Sequence, residues 1–265
     1  MKNSPQLDCP PRELSRLAAR RHDVLIIGGG INGAGLARDL ALRGLAVVLV
    51  DQGDFASGTS SASTRLIHGG LRYLQHLDFR LVLESCRERA VLQRIAPHLV
   101  RPQSLLIPVY RDDPHSLLAI RAGLSLYDLL AWFRAPRRHR MLDAEAATSL
   151  EPALRPQGLR GAALYWDCRT DDARLCLENV LAAAGAGAQT VNYLAAVGMV
   201  KAGGKVVGAR LRDQETGEEI DLEATVVVNA TGPWLERICA LDGDPTPKLR
   251  PTRGSHILVP RINRG

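Results

Sequence analysis

Gly28, Gly30 and Gly33 stand in Gly28-Gly29-Gly30-Ile31-Asn32-Gly33, a G-x-G-x-x-G, and an acid, Asp51, follows eighteen residues after Gly33. Such residues at such spacing can hold a pyrophosphate and the ribose beyond it. The first glycine allows a tight turn, the second lets backbone approach phosphate oxygens, and the third lets helix and strand pack closely. Free N–H groups at a helix start then face the phosphates. The acid can accept hydrogen bonds from an adenosine ribose. Asp rather than Arg there argues against a 2′-phosphate, and so against NADP, without separating NAD from FAD. The competing reading is a structural glycine turn.

A second stretch carries polar chemistry. Thr59, Ser60, Ser61, Ser63 and Thr64 place five hydroxyls in six residues. Such a run bonds its own backbone at the expense of regular helix. It reads either as a polar surface loop or as a wrap around a diphosphate. His68-Gly69-Gly70 follows, and two glycines beside a histidine suggest close backbone approach to something flat. Arg72, two residues on, can fork onto a phosphate or carboxylate, or serve as a surface ion-pair partner. The five cysteines include no C-x-x-C pair, which argues against a zinc site and a disulfide framework and for a reducing compartment. Cys86 and Cys176 fall in helical patterns and read as small buried hydrophobes.

These residues need elements to position them. Asp23–Ile27 is a short apolar run rich in Val and Ile, the pattern of a buried parallel strand. A helical pattern follows Gly33 and ends at Gly44, and a second apolar strand, Ala46–Val50, delivers Asp51. Helices are expected over Asp78–Ala96, Pro114–Phe133, Asp143–Leu150 and Asp171–Ala184, and strands over Gln103–Tyr110, Arg160–Trp166 and Gln189–Asn192. Leu194–Val200, Lys205–Arg212 and Glu218–Leu222 read as a meander, and Ala224–Asn229 as a separate buried strand leading to Ala230-Thr231-Gly232. A glycine turn at a strand's carboxyl end lies where ligands bind in open α/β sheets.

Taken together, Ile27–Gly44 and Thr59–Leu74 closely resemble the FAD-dependent glycerol-3-phosphate dehydrogenases. The resemblance continues in Tyr165-Trp166-Asp167-Cys168, Asp171–Leu175, Val228–Trp234 and Arg253-Gly254-Ser255-His256-Ile257. It implies a glutathione-reductase-like FAD-binding Rossmann fold, an α/β class, with an inserted α+β substrate domain. The flavin contacts it implies begin with Gly28, Gly30, Ile31, Asn32 and Gly33, then Asp51 and Gln52. They continue through Thr59, Ser60, Ser61, Ser63, Thr64, His68, Gly69 and Gly70, and end at Val197, Ala230, Thr231 and Gly232. His68, Arg72 and Tyr73 are the catalytic residues it implies: His68 as a flavin-side residue or, alternatively, an acid or base, and Arg72 and Tyr73 as substrate-side residues. Arg65 stands where many relatives carry Lys. The implied reaction oxidises glycerol 3-phosphate to dihydroxyacetone phosphate and passes the electrons to a membrane quinone. Another FAD oxidase of the amino-acid or hydroxy-acid type, or a non-catalytic flavin-binding fragment, are the other readings. The family's later segments, including a Gly-Gly-Lys motif and further phosphate-binding arginines, do not occur in these residues, so the chain is expected to be an N-terminal half.

The resemblance and the pattern divide the chain into a mobile tail over 1–22, an FAD domain over 23–100 and 169–247, and a substrate domain over 101–168 and 248–265. The tail has Pro5, Pro10 and Pro11 and no signal-peptide core. A formal net charge of +6 at pH 7 suits anionic partners. Aromatics make up 4% and no zinc finger or RNP motif occurs, so nucleic acid is not among the expected partners. The amphipathic Leu117–Phe133 and the basic run Arg134–Arg140 read as a packed helix with a solvated edge, or as contact with an anionic membrane surface. A cytoplasmic location, peripheral on the inner face of the cytoplasmic membrane, and a homodimer complete the expectations.

Overall fold

The computed structural model describes residues 14–132, 136–252, 254, 255, 257, 259 and 260. The chain divides into two compact units: Met1–Ala62 with Ala173–Thr252, and Ser63–Asp172 with the described residues of Arg253–Gly265.

The first unit is built on α1 (Leu14–Ala18), β1 (His22–Ile27), α2 (Ile31–Leu42) and β2 (Val47–Val50). Its described strands form one sheet in the order β7-β2-β1-β10-β9-β8. Here β7 is Gln189–Val191, β8 is Leu194–Ala202, β9 is Lys205–Asp213 and β10 is Glu219–Asn229. β1 pairs in parallel with both β2 and β10, and β2 with β7. Every residue of β2 is buried, as its unbroken Val-Val-Leu-Val run requires. One face packs Ala34, Ala37 and Ala41 of α2 against Val24, Ile26, Val47 and Leu49, with Cys176, Val180 and Ala183 of α6 (Asp172–Gly185). Small residues on α2 let helix and strands approach closely. Gly44, φ +84°, ends the helix, and its N–H donates to Ala41 O at 2.9 Å.

Two expectations change here. Glu218–Leu222, from Glu219 on, and Ala224–Asn229 are one strand, β10. Its first half pairs antiparallel with β9 and its second half parallel with β1, so one strand joins meander to nucleotide sheet. No Gly, Pro or turn residue separates the halves, so nothing interrupts the ladder. The expected tail over 1–22 is in its described part a packed element. Leu14 and Leu17 of α1 are buried with Leu25, Ile27 and Leu222 on the other face of the sheet, and buried His22 Nε2–H donates to Leu17 O at 3.0 Å. Met1–Glu13, with Arg12, lies outside the described residues.

The second unit centres on β6 (Leu159–Arg169). β4 (Arg101–Tyr110) runs antiparallel along one side of it, and β3 (Leu66–Ile67) and β5 (Arg140–Leu142) pair on the other. β4 is an edge strand, which tolerates Pro102 and Pro108. α3 (Phe79–Ile95), capped by Asp78, packs Val82 and Cys86 on Tyr127 and Ala131 at the end of α4 (Leu117–Leu130). α5 (Ala144–Leu150) is capped by Asp143. Ser63–Val100, expected in the FAD domain, therefore groups with β6: β3 pairs with it, and α3 packs on α4. The boundary falls after Ala62, not after Val100.

Candidate functional site

The sequence-derived site residues fall on both units, and each group has its own geometry. In the first unit, Gly28 has φ +112°, and a Cβ there would lie 2.6 Å from the Ala230 carbonyl oxygen. A Cβ on Gly33 would run into the Gly28 carbonyl oxygen. Both glycines are demanded by backbone meeting backbone. Around Gly30, by contrast, a Cβ would meet only Ser60 Oγ, at 3.2 Å. Gly30 is the N-cap of α2 and offers no side-chain cap to the amides of the first turn. The Ile31 N–H donates to Ser60 Oγ at 2.9 Å. Asn32 is exposed in the same turn. A pyrophosphate fits these residues: uncapped helix amides, no Cβ above Gly30 and a hydroxyl alongside.

Asp51 accepts the Gly29 N–H at 2.6 Å and the Gly53 N–H at 2.9 Å, one on each carboxylate oxygen. The carboxylate is thus held by the glycine turn, with lone pairs to spare for a ribose. Gln52 is exposed beside it. Under the turn, Cys176 donates to Gly29 O at 3.5 Å, and burial, helped by the charge of Asp51, pushes its thiol up to about 11. At the end of β10, Asn229 Oδ1 accepts from the Thr231 N–H at 3.2 Å and hydroxyl at 2.7 Å, which sets Ala230-Thr231 against Gly28. Gly232 follows with φ +58°. The Leu194 N–H donates to Asp51 O at 2.7 Å, so β8 starts beside Asp51. Val197, three residues on, stands at a bulge where the register with β9 shifts. Thr59, Ser60 and Ser61 form a 3₁₀ turn, and the Ser61 hydroxyl is spent on Gly58 O at 3.0 Å.

In the second unit, the Ser63 hydroxyl donates to the Asp172 carboxylate and accepts from the Arg65 N–H at 2.8 Å, so it serves its own loop. Arg65 itself takes φ +57°. Thr64, His68 and Arg72 are exposed, whereas Gly69 and Gly70 are buried. The His68 ring lies 6.4 Å from that of Tyr73. Gly70 has φ +74°, and its hydrogen faces the Tyr73 ring. A Cβ on Gly69 would overlap Tyr127 Oη and Cys86 Sγ. The structure thus gathers His68, Gly69, Gly70 and Tyr73 into one turn, with Arg72 on its exposed side.

Behind this turn lies a polar cluster that reading the sequence missed. Arg89, Tyr127 and Asp167 are each at most 1% exposed. Asp167 Oδ1 accepts from the Gly69 N–H at 3.1 Å, from Tyr127 Oη at 2.9 Å and from Arg89 Nη1. Arg89 Nη1 also lies 2.9 Å from Tyr127 Oη. Burial, then the charge of Asp167, pushes the Tyr127 hydroxyl well above the usual tyrosine range, so it stays a donor. Burial works against the Arg89 cation, but Tyr127 and Asp167 outweigh it and hold Arg89 charged. One signal was available: Arg89 follows Val82 and Cys86 at helical spacing, on the apolar face of α3.

Among the described residues no group of His, Cys, Asp and Glu can hold a metal ion. Phe133 of the amphipathic stretch, Arg134 and Ala135 of the basic run, and Arg253 and His256 of the last matching segment lie outside the described residues.

Comparison with known proteins adds to this geometry. The chain is 45% identical over 260 residues to a glycerol-3-phosphate dehydrogenase of Synechocystis, covering 94% of this chain and 47% of that protein. It is 42% identical over 255 residues to an α-glycerophosphate oxidase of Streptococcus pyogenes, covering 94% of this chain and 42% of that one. The crystal structure of the glycerol-3-phosphate dehydrogenase of Bacillus halodurans, complexed with FAD, superposes with a TM-score of 0.68 at 34% identity, over 86% of this chain and 38% of that one. The chain thus spans about half the length of the curated relatives it matches. The family model described as FAD dependent oxidoreductase matches residues 23–265, so the chain belongs to that family.

Proposed function

We propose that the protein containing this chain oxidises sn-glycerol 3-phosphate to dihydroxyacetone phosphate and delivers the electrons to a membrane quinone. The observation that carries this reading is the match of nearly the whole chain to a glycerol-3-phosphate dehydrogenase. FAD, when bound, accepts a hydride at N5. The chain's own residues bind and orient. The amides of Gly30–Gly33 and the Ser60 hydroxyl hold the pyrophosphate, Asp51 the adenosine ribose, and the bulge at Val197 the adenine. Ala230-Thr231-Gly232 and His68-Gly69-Gly70 give close backbone approach to the flavin. Arg72 grips the phosphate of the substrate, for which a planar guanidinium is suited. The base that takes the C2 hydroxyl proton is assigned to no residue of this chain. Quinone reduction puts the protein at the inner face of the cytoplasmic membrane as a peripheral protein. Among the described residues no helix is long and apolar enough to cross a membrane.

The test uses the full-length gene product. It should purify yellow with FAD, bleach on adding glycerol 3-phosphate without oxygen, and reduce a soluble quinone analogue. A preparation that neither carries nor takes up FAD, or that glycerol 3-phosphate does not bleach, overturns the reading. A second reading, with oxygen as acceptor, draws on the nearly equal identity to an α-glycerophosphate oxidase. Stoichiometric hydrogen peroxide with no quinone reduction would select it.

A further inference from the structure

We propose that Asp167, held by Arg89 and Tyr127, is the positioning residue that fixes the His68-Gly69-Gly70 turn for the flavin. The inference rests on the FAD reading above. His68 is exposed and cannot be fixed by its own packing, and its only ring neighbour among the described aromatic contacts is Tyr73. What fixes the turn is the backbone behind it. The Gly69 N–H is buried and donates to Asp167 Oδ1 from 98 positions away. The absence of a Cβ at Gly69 lets Tyr127 Oη and Cys86 Sγ close on the same peptide. The Cys86 thiol lies 4.0 Å from Gly69 O. Four elements therefore meet at one glycine: the turn itself, α3, α4 and β6.

The chemistry explains why an acid stands there. A single carboxylate oxygen receives three donors, which a neutral amide or hydroxyl acceptor does less well. Its charge is expensive to bury, and Arg89 supplies the counter-charge. The arrangement is also incomplete: Arg89 Nε and Nη2 are buried without a hydrogen-bond partner. A pair kept for stability alone would be better served by apolar residues of the same volume. A pair kept to hold the Gly69 amide at a fixed point has no such substitute, because an apolar side chain offers that amide nothing.

The experiment separates charge burial from amide anchoring in the holoenzyme of the full-length gene product. Arg89→Met with Asp167→Asn removes both charges but leaves a side-chain oxygen for the Gly69 N–H. Arg89→Met with Asp167→Leu removes the charges and the acceptor. The readouts are the visible circular dichroism of bound FAD, FAD affinity, and the rate of flavin reduction by glycerol 3-phosphate. The Leu variant should alter the flavin dichroism and slow reduction about tenfold more than the Asn variant, the usual consequence of orphaning a buried donor. KM should move less than kcat, since Asp167 does not touch substrate. Equal spectra and rates in the two variants overturn the proposal. If neither folds, hydrogen exchange in wild-type holoenzyme decides: the Gly69 amide should be protected well beyond the neighbouring His68 amide, and equal exchange overturns the proposal. A wild-type protein that takes up no FAD overturns the FAD reading and this inference with it. Wild-type uptake with indistinguishable variants overturns this inference alone.

Discussion

The two glycine turns that carry the candidate site residues have opposite construction. The turn Gly28–Gly33 is closed by backbone: Gly28 against the Ala230 carbonyl, Gly33 against Gly28. The turn at Gly69–Gly70 is closed by side chains: Tyr127, Cys86 and Asp167 from three elements. Backbone closure makes glycine mandatory and places the whole requirement in a short motif. Side-chain closure spreads it over distant positions, each with a plausible role elsewhere.

The largest effect should come from breaking the second turn at its counter-ion. Arg89→Ala leaves Asp167 buried and unpaired, which costs about 3–5 kcal/mol. The urea midpoint should fall accordingly; a shift worth under about 1 kcal/mol would mean that Asp167 escapes to solvent. On the exposed side of the same turn, Arg72→Ala should leave FAD bound and stability intact while raising KM for glycerol 3-phosphate. The loss of a charged hydrogen bond is worth ~1.5–3 kcal/mol, about ten- to a hundred-fold. Wild-type steady-state kinetics would return Arg72 to the surface-ion-pair reading.

The first turn offers a matched pair. Gly33→Ala forces its Cβ on the Gly28 carbonyl and should cost about 1–3 kcal/mol, with loss of FAD. Gly30→Val faces only Ser60 Oγ, so the melting temperature should stay close to wild type, a change under ~0.5 kcal/mol, while FAD affinity drops. If both variants lose stability equally, the space beside Gly30 and Ser60 is not where the pyrophosphate goes. The smallest effect lies outside both turns. Replacing Arg137, Arg138 and Arg140 by Ser should weaken salt-sensitive binding to anionic vesicles, each arginine being worth at most ~1 kcal/mol. Part of that run is already engaged: Arg137 stacks 5.8 Å from the Trp166 ring centroid, and His139 pairs with Asp128 at 2.7 Å. Unchanged co-sedimentation would take this patch out of membrane contact.

Legibility in the sequence tracks the same contrast. The strand–turn–helix–strand around Gly28–Asp51 was readable because period, glycine spacing and terminal acid are all local. The helix cap Asp78 was readable for the same reason. The boundary after Ala62 was not, because two residues of β3 decide it by pairing with Arg169 and Cys168, about a hundred positions away. Nor was the unity of β10, whose halves carry different periodicity because one lies in a two-sided sheet and the other in a meander with alternating Arg and acid pairs.

The sequence by itself determined the glycine turn Gly28–Gly33 and pointed to it as the place for a dinucleotide, since the steric need for glycine and the amides of a helix start are properties of adjacent residues. It also determined, by resemblance, the kind of chemistry to expect. Only the tertiary structure decided that Arg89, a charged residue on the apolar face of α3, is fully buried. It alone showed that Asp167 receives the Gly69 amide, that Ser63 is spent on Asp172, and that Leu14 and Leu17 belong to the core. Burial of a charge is set by what packs around it from elsewhere in the chain: helical spacing puts Arg89 on the apolar face of α3, but the groups that compensate its charge come from α4 and β6.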